Sequence, residues 1–157
     1  MASPDADAPL IRLARSDDRD AVERCVHEAY VHDVPRIGRK PAPMLADYAR
    51  LIAAGRVHVV PGPSGILAVL VTEPHETWLL IENVAVLPSH QGRGLGSRLL
   101  AWAEQLARAA GLDELRLYTN ERMIENQRFY RHRGFVELER RTEDGYARVY
   151  MRRQLDS

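Results

Sequence analysis

The sequence predicts one α/β domain, a mixed sheet covered by helices, and three observations predict it. The chain has 157 residues, the size of one ordinary domain. Its composition, 45% hydrophobic and 28% charged, suits a core with a solvated shell and excludes bulk disorder or a collagen-like repeat. The apolar period switches along the chain between that of strands and that of helices, in the order β-α-α-β-β-β-α-β-α-β-β. A meander that feeds two strand–helix units implies a mixed sheet. The domain is expected over residues 9–155, with 1–8 as a disordered tail.

Each element has a local reason. Leu10 to Ala14 reads as a short first strand. Ser16 offers an N-cap oxygen, Asp17 and Asp18 suit the positive end of a helix dipole, and Ala21, Val22, Cys25, Val26 and Ala29 recur at helical spacing, so 16–31 reads as an amphipathic helix. Pro35, Gly38, Pro41 and Pro43 break the chain, and helical spacing resumes from Met44 to Ala54 before Gly55 stops it. Three β-rich runs follow, Val57 to Val60, Ile66 to Val71 and Trp78 to Val86, separated by turns at 61–65 and 74–76. Gly94 to Ala110 is helical, with Leu95, Leu99, Trp102, Ala103 and Leu106 on one side. Leu115 to Thr119 is a strand and 121–132 a helix stopped by Gly134. Phe135 to Leu138 and Tyr146 to Met151 close the chain as strands, turning at Asp144-Gly145.

Charge and cysteine usage exclude several functions. The 22 basic residues balance 22 acidic ones, so there is no basic surplus for nucleic acid or an anionic membrane. The single cysteine, Cys25, permits no intramolecular disulfide and sits on the apolar face of its helix, where it reads as core. His27, His32, His58, His75 and His132 show no metal-ligand spacing, so no metal is expected. The opening residues lack the basic and apolar regions of a signal peptide, and the longest apolar runs fall far short of the roughly 20 residues that span a bilayer. A cytoplasmic protein is expected.

The chemistry concentrates in Val84-Ala85-Val86-Leu87-Pro88-Ser89-His90-Gln91-Gly92-Arg93-Gly94-Leu95-Gly96-Ser97. A strand ends at Pro88 and three glycines open a long helix. Glycines let backbone N–H groups face a ligand, and a helix start adds unpaired donors and the positive end of its dipole. Together they suit a pyrophosphate, with Arg93 or Arg98 as a charged neighbour. A P-loop needs a lysine after its last glycine, and a dinucleotide fold needs a glycine where Ser97 stands; neither pattern is met. Q-x-x-G-x-G is met, by Gln91, Gly94 and Gly96.

That pattern after Asn83 to Pro88 resembles the acyl-CoA loop of the GNAT superfamily of N-acetyltransferases. A second match follows in Tyr118-Thr119-Asn120 and Asn126 to Phe135, similar to the family's N-x-x-[AF]-x-x-[FY]-Y-x-x-x-G-F region in a compact version with Asn126 and Tyr130 four apart, on one helix face. The resemblance implies a mixed, mostly antiparallel sheet with helices on both faces, whose fourth and fifth strands splay to hold the pantetheine arm of acetyl-CoA. It implies that the backbones of Val84 and Val86 pair with that arm, one amide polarising the thioester carbonyl. Amides of Gln91, Gly92, Arg93, Gly94, Leu95, Gly96 and Ser97 would hold the pyrophosphate, Asn126 would reach the pantetheine, and Tyr130 would approach the sulfur. A homodimer is also a family expectation.

The reaction implied is direct attack of a small-molecule or peptide amine on acetyl-CoA. An amine must lose its proton first, and Glu82 is the candidate base. Two residues before Val84 on a strand, it is expected to share a face with Val84 and Val86, where a carboxylate breaks the apolar pattern. The alternative is a structural partner for an arginine. Tyr130 is the candidate acid for the leaving thiolate, against plain aromatic packing. Acceptor contacts are expected from Tyr30, Asp33, Asp47 and Tyr48, in or beside the irregular stretch, although Asp47 also suits a solvated helix face. Arg128, Arg131, Arg133, Arg140 and Arg141 interleave with Glu137, Glu139, Glu143 and Asp144 as a solvated surface, with the 3′-phosphate of coenzyme A as an alternative contact for one of the arginines. A non-catalytic acyl-CoA-binding or regulatory module on the same fold is the other reading, because fold does not fix function.

Overall fold

The computed structural model describes residues 10–156, so the tail expected at 1–8 lies outside the described residues. The chain forms β1 (Arg12–Leu13), α1 (Arg19–Tyr30), α2 (Val34–Ile37), α3 (Tyr48–Ala53), β2 (Val57–Gly62), β3 (Gly65–Pro74), β4 (Leu79–Val86), α4 (Leu95–Ala109), β5 (Glu114–Asn120), α5 (Ile124–His132), β6 (Val136–Glu143) and β7 (Tyr146–Gln154). These strands make one sheet in the order β1-β2-β3-β4-β5-β7-β6. Only β4 and β5 run parallel, linked by the α4 crossover; the other neighbours are antiparallel.

Alternation along the strands feeds two cores, one on each face. Val60, Leu70, Ile81, Leu117 and Met151 pack with Leu99 and Ala103 of α4 and Tyr130 of α5. Val59, Val69, Val71 and Ala85 pack with Val22, Cys25 and Val26 of α1 and Ile52 of α3, so Cys25 is core as expected. The last hairpin turns at Asp144 and Gly145 with left-handed φ of 54° and 82°, the pairing a two-residue turn requires. At the sheet edge every residue of β6 is exposed, and Arg140 and Arg141 meet Glu137 and Glu139, a charged edge that discourages strand addition.

The first helix begins differently from the expectation. Ser16 does not cap it: residues 16–18 form a short turn, and the Asp18 carboxylate accepts the Arg15 N–H at 2.7 Å. Asp18 also takes both arms of the Arg12 guanidinium, at 2.7 and 3.1 Å, which ties the helix entry to β1. A fork-to-fork ion pair outcompetes a lone hydroxyl for the same entry.

The feature that positions the site is in β4. Asn83 lies opposite Val71 and Ile81 opposite Thr72, which leaves Glu82 as the extra residue of a β-bulge. The bulge resets the alternation. Leu79 and Ile81 face the α4 core before it, and Val84 and Val86 pack against that same core after it. β4 then pairs with β5 only from Leu79–Leu115 to Ile81–Leu117, and beyond Ile81 the two strands part.

Asp18 links cap and ion pair to stability. Hydrogen bonds from Arg12 hold its carboxyl below the usual range, against a smaller burial effect. A depressed folded-state pKa stabilises above the unfolded value of about 3.9 and is lost as pH falls through the folded one. Asp18→Ala is expected to lower unfolding free energy by about 1–2 kcal/mol at pH 7, with the difference from wild type shrinking towards pH 3 in urea titrations.

Candidate functional site

Where β5 departs, β4 presents an unpaired edge. The Leu87 N–H donates to Leu67 O at 2.9 Å, so by antiparallel alternation Ala85 and Leu87 bond to β3 while Val84 and Val86 turn their N–H and C=O groups the other way. Side chains meet the two carbonyls: the Tyr30 hydroxyl stands 3.0 Å from Val84 O, and Gln91 Nε2 donates to Val86 O at 3.2 Å. The two N–H groups face the gap.

The glycine loop borders that gap. Gly92 and Gly94 have left-handed φ of 78° and 83°, and a Cβ at either would meet nothing within 4 Å, so the backbone there is open to a ligand. α4 starts without a side-chain cap, leaving its first N–H groups at the cleft. Gly96 lines the cleft and also serves packing, because a Cβ there would stand 3.0 Å from Phe129 Cζ, so this glycine admits α5 against α4. The cleft is lined by Val84, Val86, Gln91, Gly94, Ser97 and Tyr130, among others. Its arginine is Arg133, which stacks 3.6 Å over the Phe129 ring and puts Nε 2.9 Å from Ser97 Oγ. Arg93 and Arg98 do not line it, and Leu95 sends its side chain into the core, leaving its backbone for the cleft. In the sequence Arg133 is one of the interleaved arginines, any of which could meet the 3′-phosphate of coenzyme A; its place four residues after Phe129 is the signal that singles it out.

A second, inner cavity lies between β4, β5, β7 and the segment after α2. Val84 and Tyr130 line both spaces, so the cleft and the cavity meet there. The Tyr130 ring packs edge-on to Phe129 and Phe135, and its hydroxyl makes no hydrogen bond to the described residues. Burial pushes its phenol up to about 12. Asn126 shares that helix face but lines the inner cavity, not the glycine cleft.

Glu82 also lines the inner cavity, yet the bulge removes it from the face shared by Val84 and Val86, correcting the simple alternation. Its Oε1 lies 2.7 Å from Arg56 Nη2, and the same nitrogen is 2.8 Å from Glu73 Oε2. Two carboxylates therefore share one guanidinium, and the arginine partner weighed against a catalytic role is present. Burial and Glu73 raise the Glu82 pKa, and Arg56 opposes them.

Of the four expected acceptor residues, Tyr30 alone lines the cavity. Its hydroxyl donates to Asn83 Oδ1 at 2.5 Å. Tyr48 is a core residue: its hydroxyl donates to Pro43 O at 2.6 Å and accepts from Asn83 Nδ2 at 3.2 Å. Asp47 caps α3 by accepting the Arg50 N–H at 3.2 Å, and Asp33 does not line the cavity. Sequence reasoning missed Tyr146 and Arg148, which alternate on β7 and line it. The period-two pattern puts them on one face, but only the parted strands put that face against a cavity. The roof is tied down by Tyr146, whose hydroxyl donates to Lys40 O at 2.6 Å, and by an Arg36–Glu125 pair at 2.7 Å. Among the described residues, no helix is long and apolar enough to cross a membrane, and no group of three or more His, Cys, Asp or Glu gathers as a metal site.

Comparison with known proteins agrees with this geometry. The family profile described as Acetyltransferase (GNAT) domain matches residues 49–137. The chain is 42% identical over 62 residues to the aminoalkylphosphonate N-acetyltransferase of Salmonella typhimurium, covering 39% of this chain and 40% of that protein. It is 38% identical over 81 residues to N-alpha-acetyltransferase 80 of Mus musculus, covering 52% of this chain and 24% of the relative. The matched stretches thus span less than half of either relative. The fold is that of the PaiA N-acetyltransferase of Thermoplasma acidophilum, solved in complex with coenzyme A, with a TM-score of 0.78 at 15% identity over 94% of this chain and 99% of that one.

Gly96 separates packing from binding. Gly96→Val is expected to lower unfolding free energy by about 1–3 kcal/mol through overpacking against Phe129, measured by urea denaturation. Gly96→Ala should fall between it and wild type.

Proposed function

Because the chain belongs to the GNAT acetyltransferase family, we propose that it transfers an acetyl group from acetyl-CoA to a primary amine by direct attack in a ternary complex. The observation that carries this reading is the meeting of the glycine-bordered cleft and the inner cavity at Val84 and Tyr130. A donor in one space and an acceptor in the other then touch at a single point. The names of the two sequence relatives share N-acetyl transfer and differ in acceptor, which leaves acceptor choice to the cavity.

The open backbone at Gly92 and Gly94 fits a pyrophosphate, held by N–H groups from Gln91 to Ser97 with Arg133 beside them. The free N–H groups of Val84 and Val86 pair with the pantetheine arm as a neighbouring strand would. One of them meets the thioester oxygen where negative charge develops.

For a lysine-like amine of pKa near 10.4, deprotonation at pH 7 costs about 4.6 kcal/mol, which a base in the cavity offsets. Glu82 takes that proton, directly or through water. Its raised pKa makes it a stronger base than an exposed carboxylate, and Arg56 keeps it ionised. Tyr130 meets the departing sulfur. With its phenol pushed up to about 12, full proton transfer to a thiolate whose acid has a pKa of about 8.5 runs uphill. Its first contribution is therefore a hydrogen bond to the developing thiolate.

Two experiments test this. Acetyl-CoA at about 100 times its Kd should raise Tm by about 5–10 °C, far more than NADH or ATP at equal concentration. Gly94→Asp should abolish that shift by setting a carboxylate in the anion's place; a variant that folds and still binds would show the loop to be only a turn. In steady-state assays of thiol release, Glu82→Gln should lose most activity at low pH and recover as pH supplies neutral amine. Tyr130→Phe should lose about 10–100-fold with no such recovery. Equal, pH-independent losses in both would make Glu82 a structural partner of Arg56. Coenzyme binding without thiol release across an amine panel would leave a binding module.

A further inference from the structure

Among the residues lining the inner cavity, only Glu82 and Arg148 carry a full charge. Glu82 is shared with Arg56 and Glu73, as described, whereas Arg148 is used by nothing in the reaction. It sits on β7 opposite Asn120 with its side chain nine-tenths buried. Among the described residues its side chain makes one hydrogen bond, from Nη1 to Glu143 Oε2 at 3.3 Å, and Glu143 is a half-exposed residue that also meets Arg141. A guanidinium has five N–H donors, so most of this buried fork is unspent.

Its orientation is set by aromatic faces. The Arg148 guanidinium stacks 4.2 Å over the Tyr118 ring and lies 5.7 Å from the Tyr146 ring. Stacking fixes the plane of the cation and leaves its edge, where the N–H groups point, for a planar or tetrahedral anion. Thr119 and Asn126 line the same chamber and supply neutral polar groups. Tyr118 lies within the fields of both Arg148 and Glu82, so the two charges share one small space.

We propose, on the acetyl-transfer reading above, that the acceptor is a short amine that also bears an anionic group, a carboxylate or a phosphonate, and that Arg148 holds this group. The anion occupies the Arg148 end while the amine lies towards Val84 and Tyr130. Glu82 then serves the cationic end of the same molecule. An acceptor without the anion forgoes the charge-assisted hydrogen bonds that the free edge of the guanidinium offers beyond its single bond to Glu143, and that loss is the larger part of the discrimination.

The test uses matched acceptors: β-alanine, 2-aminoethylphosphonate and ethylamine, the last lacking either anion. Wild type should prefer at least one anionic amine over ethylamine in kcat/KM by at least ~30-fold, about 2 kcal/mol at 1.36 kcal/mol per tenfold. Which of the two leads identifies carboxylate or phosphonate. Arg148→Gln should bring that preference close to one, and Arg148→Lys, which keeps the charge without the fork, should retain part of it; the melting shift with acetyl-CoA reports that each variant is folded. Equal use of all three amines by wild type, or a parallel loss on all three in Arg148→Gln, overturns the proposal. Should wild type acetylate none of them, calorimetric titration of the two anionic amines into the coenzyme A-loaded protein decides. Binding that Arg148→Gln abolishes sustains the anion site while the acetyl-transfer reading falls, and no binding of either overturns it.

Discussion

Everything at this site depends on β4 and β5 pairing for three residues and then separating. A parallel pair inside a sheet normally uses both backbone edges, and parting them leaves N–H and C=O groups without partners. The extra residue at Glu82, a bulge in the β3–β4 ladder, falls just where β4 and β5 part, and a bulge bends and twists its strand. The protein covers part of the deficit itself: Gln91 donates to the Val86 carbonyl, and the Tyr30 hydroxyl, whose proton goes to Asn83, stands beside the Val84 carbonyl. The remaining N–H groups are where a ligand gains most, because binding supplies hydrogen bonds that folding left unmade.

The elements around the gap divide the labour. Gly92 and Gly94 take backbone conformations that open donors to the cleft, while Gly96, two residues on, serves close helix packing. That packing brings α5 near enough for Tyr130 to stand where the cleft meets the cavity and for Arg133 to reach Ser97. Helix–helix contact and ligand contact are thus coupled through one short segment.

Electrostatics follow the same division. The inner cavity carries one carboxylate and one guanidinium, and each is tied to partners outside the cavity, Glu82 to Arg56 and Arg148 to Glu143. Such ties keep buried charges ionised at moderate cost while leaving part of each group for a substrate. Glu82 can therefore be both an arginine's partner and a proton acceptor, because the two roles use different moments of one carboxylate.

The sequence by itself determined the element order, a mixed sheet covered by helices, the glycine-opened start of α4, the burial of Cys25 and the solvated charge of β6. These follow from period, turn chemistry and composition, which are local properties of the chain. It also determined the candidates Glu82 and Tyr130, through an out-of-pattern carboxylate and a motif on one helix face. Tertiary structure decided the rest. The bulge that removes Glu82 from the face of Val84 and Val86 is a property of β4 against β3, and no single-strand alternation contains it. Tyr48 and Asp47 look like acceptor residues in an irregular stretch, but one is spent on Asn83 and Pro43 and the other on capping α3. Arg148 reads as one more arginine in a charged tail until the parted strands and the roof from Ile37 to Pro43 close a cavity over it. Which polar side chain stays free for a ligand depends on which partners the fold brings to the others, and those partners are distant in sequence.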